Sequence, residues 1–385
     1  MNIGFEAKRA FTNGTGLGHY SRTLISSLAE FFPSHQYYLF TPRRSDRFTP
    51  GAGENLHTVL PGSLRGRLFR SAWRSSWVKA DIKKKHIQLY HGLSHEIPMG
   101  MSGIGIPSVV TMHDLIFERY PHQYNPVDVK IYRAKFQYAC RNADRIIAIS
   151  NQTKTDIVAF YGIDENKIDV CYQSCNDAFA RPVEANERER IKEQYGLPDQ
   201  FFLYVGSIIE RKNLLNICKA LVILTGKCDL PLVVIGDGGA YKKLIQAYIR
   251  THRLEDRVFF VSENTAARSS PSFRDGKDFP AIYQQATALV YPSFFEGFGI
   301  PVLEGFLSRI PVITSNVSCL PETGGEGAYY VDPNSPEEIA TALWRVAFEE
   351  ELRPVLIEKG SLHAQKFTRY NAARSVMDVY RKLSG

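Results

Sequence analysis

The stretch FFEGFGIPVLEG, from Phe294 to Gly305, sets Glu296 and Glu304 eight positions apart, with Gly297 and Gly299 beside the first and Pro301 ahead of the second. A carboxylate accepts two hydroxyl hydrogen bonds at once, so this pair suits a ligand with two sets of vicinal hydroxyls, such as a sugar and a ribose. The glycines free the backbone to turn its amides toward a ligand. Pro301 reads as the first position of a helix, whose amino end favours a phosphate or sugar oxygens. Taken alone, the pair has a blander meaning: Glu304 as a helix-dipole partner and Glu296 as an exposed loop acid.

A second chemically loaded place is VGSIIERKNLL, where a strand is expected to end at Ser207 and a helix to begin near Asn213. Arg211 and Lys212 there oppose the helix macrodipole, so a compensating anion is the natural explanation; a solvated pair on a surface turn is the alternative. The third is TMHDL, with His113 and Asp114 directly after the strand PSVVTM. A core histidine held by its neighbouring aspartate is the usual meaning of such a pair. Near the amino terminus, KRAFTNGTGLGHYSRTL carries Gly14, Gly16 and Gly18, but the dinucleotide fingerprint G-x-G-x-x-G meets His19 or Ser21 where its last glycine should stand. An NAD-dependent dehydrogenase is therefore disfavoured, and a flexible glycine loop at a cleft mouth remains.

These places need elements to hold them. Short β-branched and aromatic runs alternate with helical patterns: NIGF, QYYLFT, PSVVTMHD, ADRIIAIS and KIDVCYQ, then FFLYVGS, LPLVVIGDGG, RVFFVS, ATALVYPS and IPVITS. The alternation predicts an α/β chain of two doubly wound parallel sheets, whose ligands collect at the carboxyl ends of strands. A polar passage from about 176 to 200 reads as the linker, giving domains 1–175 and 176–366, with a carboxyl-terminal helix over 367–385 returning to the first through Ala373, Val376, Met377 and Tyr380. Residues 262–277 read as a long polar loop. At 385 residues, 44% hydrophobic and 23% charged, the chain is globular. No apolar run reaches the roughly 18 residues of a membrane span, so secretion and membrane insertion are not expected. The six scattered cysteines read as reduced thiols, without a zinc-site pattern.

The order of these stretches resembles the retaining glycosyltransferases of family 4, with the GT-B fold of two facing Rossmann-like domains, and most closely the mannosyltransferase-like branch that assembles bacterial surface polysaccharides. The resemblance covers almost the whole chain through GTGLGHYSRTL, TMHDLIFERYP, ADRIIAISNQTK, YVGSIIERKNL, VVIGDGG, the E-x(7)-E motif EGFGIPVLE, PVITSNVSCLPE and FTRYNAARSVMDVYRKL. It implies that Glu296 and the amides around Phe298 and Gly299 hold the donor sugar and that Glu304 binds the ribose. Arg211 and Lys212 would neutralise the diphosphate, His113 would approach the transferred sugar, and Gly16 and Gly18 would border the donor phosphate or acceptor. Ser207, Gly297 and Ile300 complete the donor-binding set. Many relatives carry arginine where Ser207 follows Gly206, which shifts neutralisation onto Arg211 and Lys212.

The implied activity is retaining, metal-independent hexosyl transfer, with GDP-mannose the favoured donor and a UDP-sugar the alternative, to a saccharide or lipid-linked acceptor. No cofactor and no nucleic acid partner are expected. The sequence has no D-x-D motif to hold a bridging metal. A GT-B epimerase or phosphorylase, and a non-catalytic sugar-nucleotide or lipid-binding protein, are the competing classes.

One feature lies outside the motifs. Between Arg65 and Lys85 stand eight basic residues against Asp81 alone, which accounts for the whole formal net charge of +7. If 64–85 is helical, Phe69, Trp73 and Trp77 share a stripe flanked by Arg67, Arg70 and Arg74. Aromatics beside arginines suit a membrane interface. The segment is thus expected to rest Arg67, Arg70, Trp73, Arg74 and Trp77 on an anionic membrane, making the enzyme cytoplasmic and peripheral on the inner face; a solvated helix packed on the sheet is the alternative.

Overall fold

NIGFE at Asn2–Glu6 is a buried strand, β1, and the parallel strands β2 (Gln36–Phe40), β3 (Leu56–Val59), β4 (Leu89–Gly92), β5 (Ser108–Met112), β6 (Arg145–Ala148) and β7 (Ile168–Val170) complete its sheet. The strand order is β3-β2-β1-β4-β5-β6-β7 in this computed structural model, which describes residues 1–50 and 55–383. A second parallel sheet has the order β10-β9-β8-β11-β12-β13, formed by β8 (Phe202–Val205), β9 (Leu232–Ile235), β10 (Val258–Phe260), β11 (Ala288–Tyr291), β12 (Val312–Ser315) and β13 (Ala328–Val331). Both are parallel α/β sheets, as the GT-B expectation requires, and in both the order reverses beside the first strand, at β1/β4 and at β8/β11. Such a reversal opens a crevice at the carboxyl ends of the strands.

The chain divides into two compact units, one of Met1–Ser174 with the segment from Phe367 onward, the other of Cys175–Lys366. In the first, the helix Arg369–Lys382 buries Ala373, Val376, Met377 and Tyr380 and packs on the helix Gly16–Phe31. The Tyr380 hydroxyl meets His91 Nδ1 at 2.6 Å, and Arg369 pairs with Glu30 at 2.6 Å. In the second unit, the helix Leu214–Ile223 buries Leu214, Ile217 and Leu221 against Tyr204, Leu232 and Val234 of the sheet. These fully buried strands read as continuous apolar runs because helices cover both faces.

Three strands had no clear signal in the sequence: β3, β4 and β13 are four residues each, and β4, LYHG, ends in a histidine and a glycine. Other stretches are more ordered than their composition suggests. The expected linker carries the helix Ala185–Tyr195, whose Ile191 is buried and whose Tyr195 hydroxyl donates to Asp278 at 2.5 Å. The expected loop at 262–277 holds the short helices Thr265–Ser269 and Pro271–Arg274, and Phe273 of the second is buried. All six cysteines are free thiols and buried.

Candidate active site

The residues after β8 and β11 meet at the reversal point of the second sheet. β8 runs into Gly206, whose φ of 150° is a glycine conformation; a Cβ there would lie 3.1 Å from Lys212 Cδ, so glycine leaves room for the lysine side chain. The turn Glu210–Lys212 is a short 3-10 helix and Asn213, at φ 61°, ends it in the left-handed region. Asn213 Nδ2 donates to Pro292 O at 2.9 Å and to Pro333 O at 2.7 Å, which fastens the basic turn to the end of β11. Asparagine suits the position because it tolerates that backbone and carries the donor.

Glu296 lies in the loop after β11. Its backbone N–H donates to Ser318 Oγ at 3.0 Å, and the same hydroxyl donates to Glu296 O. The carboxylate is buried at 8% exposure and meets Arg211 Nη1 at 3.0 Å, Lys212 Nζ at 3.1 Å and the Tyr291 hydroxyl at 2.8 Å. Burial works against its ionisation, but the charges of Lys212 and Arg211, helped by the Tyr291 hydroxyl, outweigh it and hold the carboxyl at about 2. Arg211 also donates to Phe295 O, and Lys212 to the Tyr291 hydroxyl. Glu296 is thus an ionised carboxylate with both oxygens engaged.

Gly299, at φ 97°, caps the helix Ile300–Leu307, and a Cβ there would come within 2.8 Å of Leu320 Cδ2. Phe298 is buried, its carbonyl accepting from Thr323 Oγ1. Glu304, on that helix, accepts from the Tyr283 hydroxyl at 2.6 Å. Desolvation raises its carboxyl to about 7 against the opposing pull of Tyr283 and Lys212. The two glutamates of the motif therefore differ: at neutral pH one is fixed as an anion and the other is poised between forms. Ser207 is exposed at the mouth of the same turn.

In the other unit, His113 follows β5 and is buried. Its Nε2 donates to Leu93 O at 2.9 Å, and its backbone N–H donates to His95 Nε2 at 3.0 Å. A bond holding the ring therefore runs to a carbonyl on a neighbouring segment, and Oδ1 of the adjacent aspartate accepts from Ile116 N. Because Leu93 O can only accept, Nε2 carries the proton and Nδ1 is the acceptor. Burial brings His113 down to about 4, so the ring is neutral at pH 7. The Tyr20 ring stands edge-on to it at 4.5 Å.

The expected flexible glycine loop is instead a helix Lys8–Thr12 followed by the start of the helix Gly16–Phe31. Gly16 is the first residue of that helix with open space around it, whereas a Cβ on Gly18 would strike Asn13 O at 2.0 Å. Gly18 is thus explained by packing.

The basic segment also departs from expectation. In place of one helix, residues 64–84 form pieces, Leu64–Leu68, Arg70–Ala72, a π-helical turn Trp73–Trp77 and Val78–Lys84. The break at Phe69 and the widened turn put the aromatics out of phase. Trp73 is 2% exposed and donates to Asp81 at 2.7 Å, while Trp77 is 45% exposed. Arg74 is drawn inward to Glu96 at 2.8 Å and Glu6 at 3.8 Å. Trp73 and Arg74 are therefore removed from the expected membrane-contact set; Arg67, Arg70 and Trp77 stay at the surface.

Tyr291, Tyr283, Asn213 and Ser318 were not singled out from the sequence. Tyr291 had a signal, as the last residue of a strand five positions before Glu296; Tyr283 and Ser318 reach the site only through the fold. Among the described residues no group of three or more His, Cys, Asp or Glu side chains could hold a metal ion, and no helix is long and apolar enough to cross a membrane.

Similarity to known proteins agrees with this arrangement. The chain is 24% identical to an O-antigen chain mannosyltransferase B of Escherichia coli over 96% of both chains, and 27% identical to the O-antigen chain mannosyltransferase RfbU of Salmonella typhimurium over 86% of this chain and 87% of that one. Among solved structures, a glycosyltransferase from Rickettsia africae superposes with a TM-score of 0.73 at 17% identity, covering 99% of this chain and 98% of that one. Anabaena Alr3699/HepE in complex with UDP-glucose superposes at 0.71 and 15% identity, over 99% and 100%. Residues 14–178 match the family described as Glycosyltransferase Family 4 and residues 186–363 that described as Glycosyl transferases group 1, so the chain belongs with the glycosyltransferases that carry these two domains.

Proposed function

We propose that the protein is a retaining, metal-independent hexosyltransferase that moves a mannosyl group from GDP-mannose to a saccharide or lipid-linked acceptor in surface-glycan synthesis, in the cytoplasm at the inner face of the membrane. The observation that carries the reading is the convergence of Arg211 and Lys212 on Glu296 at the β8/β11 reversal. As the bond from the anomeric carbon to the diphosphate breaks, negative charge grows on the leaving oxygen. Fixed cations stabilise it without reorganising, and one such donor is typically worth about 3 to 4 kcal/mol in the barrier. Arg211 and Lys212 supply that charge where a bridging metal otherwise would.

Glu296 orients the sugar rather than attacking it. A carboxylate held at about 2, with one oxygen on Lys212 and Tyr291 and the other on Arg211, is a weak nucleophile, while its remaining acceptor capacity suits sugar hydroxyls. The acceptor oxygen then adds on the face the diphosphate leaves, and its proton passes to the departing phosphate oxygen. Glu304 takes the ribose hydroxyls, Ser207, Gly297, Phe298, Gly299 and Ile300 line the donor, and neutral His113 presents a hydrogen-bonding ring to the transferred sugar. The named mannosyltransferase relatives support mannose as the sugar.

The test is transfer from GDP-mannose to a panel of alkyl glycosides, followed by NMR of the product with and without chelator. The expected product keeps the donor's anomeric configuration and forms equally with chelator. Inversion overturns the retaining assignment, and chelator inhibition reversed by manganese overturns metal independence. A changed sugar in the absence of any acceptor would identify an epimerase.

A further inference from the structure

The segment 64–77 exposes several large apolar side chains. Leu64 is 73% exposed, Leu68 70% and Phe69 60%. Phe69 and Trp77 form an edge-to-face pair at 6.4 Å, and Met99, also exposed, belongs to a segment tied to theirs by its backbone N–H donating to Ser75 O at 2.7 Å. Scattered exposed leucines need no explanation, but a contiguous group does. Arg65, Arg67 and Arg70 are exposed among them, and Lys83, Lys84 and Lys85 continue the charge at the end of the next helix. The backbone is held from beneath: Trp73 is tied to Asp81, a Cβ on Gly66 would meet Trp73 and Pro61 at 3.1 Å, and Arg74 is anchored on Glu96. Apolar tips standing on a fixed base amid positive charge match a bilayer surface, where rings and leucines bury at headgroup depth and guanidinium groups meet lipid phosphates.

We infer that Leu64, Leu68, Phe69, Trp77 and Met99 form a docking face for an anionic lipid bilayer, with Arg65, Arg67 and Arg70 supplying its charge and Trp73 and Arg74 serving as its internal anchors. Charge complementarity selects the occupant, since residues 65–85 hold eight cations and one anion, and basic residues are drawn to an anionic lipid surface. This sharpens the inner-membrane placement proposed above, but it rests on surface geometry and not on the reaction.

The experiment is co-flotation of the full chain with phosphatidylglycerol/phosphatidylcholine vesicles and with pure phosphatidylcholine vesicles, at low and high salt. Binding should require phosphatidylglycerol, fall at least tenfold at high salt, and shift tryptophan emission to the blue in a way Trp77→Phe removes. Phe69→Ser with Trp77→Ser, and separately Arg65→Glu with Arg67→Glu and Arg70→Glu, should each weaken binding at least tenfold with the thermal midpoint unchanged, because these side chains are exposed. Either variant binding like the parent, or no parental binding at low salt, overturns the inference. So does sedimentation equilibrium showing a parental dimer that the Phe69/Trp77 variant abolishes, which would make the face a self-interface. Flotation needs no turnover, so its failure leaves the transfer reading standing and the reverse.

Discussion

Glu6 and Glu296 occupy matching places, each at the carboxyl edge of a parallel sheet beside its reversal point, and both are buried. Their electrostatics are opposite. Burial raises the Glu6 carboxyl; Arg74 opposes this from 3.8 Å, but Glu96 adds like charge and claims the same arginine at 2.8 Å. Glu296 meets two cations within 3.1 Å and is held at about 2. Desolvation is the largest influence on both, so burial does not decide which glutamate is an anion. What decides is the number of cations in direct contact and whether another acid competes for them.

The largest effect should come from dismantling the stronger cluster. Lys212→Ala should lower transfer from GDP-mannose about 100- to 1000-fold, whereas Glu6→Gln should leave transfer within about tenfold; near-normal turnover in the lysine variant would remove Lys212 from the site. Stability should separate the clusters next. At pH 7, Glu296→Gln leaves two buried cations under-compensated and should cost about 3 kcal/mol in urea unfolding, while Glu6→Gln should be neutral or stabilising because Arg74 keeps Glu96. The sign follows from the depressed carboxyl: the stability contributed by Glu296 is full above the ordinary range near 4.5 and is lost as pH falls toward about 2, so the variant's deficit should shrink in acid. Equal costs for the two substitutions would refute the contrast.

A smaller effect distinguishes the two glutamates of the motif. Glu304, raised to about 7, is half protonated at neutral pH, and its anion is the stronger acceptor for a pair of hydroxyls because the acid form commits one oxygen as a donor. GDP affinity should therefore rise up to about tenfold from pH 6 to 8, measured by calorimetry, and Glu304→Gln should bind more weakly with a flat profile. A parental profile equally flat would remove Glu304 from nucleotide binding. The smallest change tests how the returning helix is held. Tyr380→Phe deletes the hydroxyl on His91 and should cost about 1 kcal/mol in thermal or urea unfolding; no cost would make the bond incidental.

The candidate site was legible where chemistry and spacing lie in one short stretch. Glu296, Gly299 and Glu304 fall within a single loop-helix junction, and Arg211 with Lys212 share one turn, so residue type and local backbone already marked them. The sheets were legible from apolar runs, except for strands such as β4, whose LYHG ends in a histidine and a glycine and so carries no apolar run. Helical periodicity in 64–85 misled: it assumed a regular repeat, and a π-helical turn at 73–77 moved Trp73 to the interior and left Trp77 outside. Arg74 went inward because Glu96, 22 positions later, waits there.

The sequence by itself determined the class of the chain, the presence of an acidic motif and of a basic turn, and the positive segment, because these depend on composition and on neighbours a few bonds apart. Only the tertiary structure decided that Tyr291 and Tyr283 stand beside Glu296 and Glu304, that Asn213 fastens the basic turn to Pro292 and Pro333, and that one motif glutamate is an anion while the other titrates near neutrality. The physical reason is that desolvation and charge pairing depend on distance in space. Lys212 and Glu296 are 84 residues apart in the chain and 3.1 Å apart in the fold, and no local pattern encodes that approach.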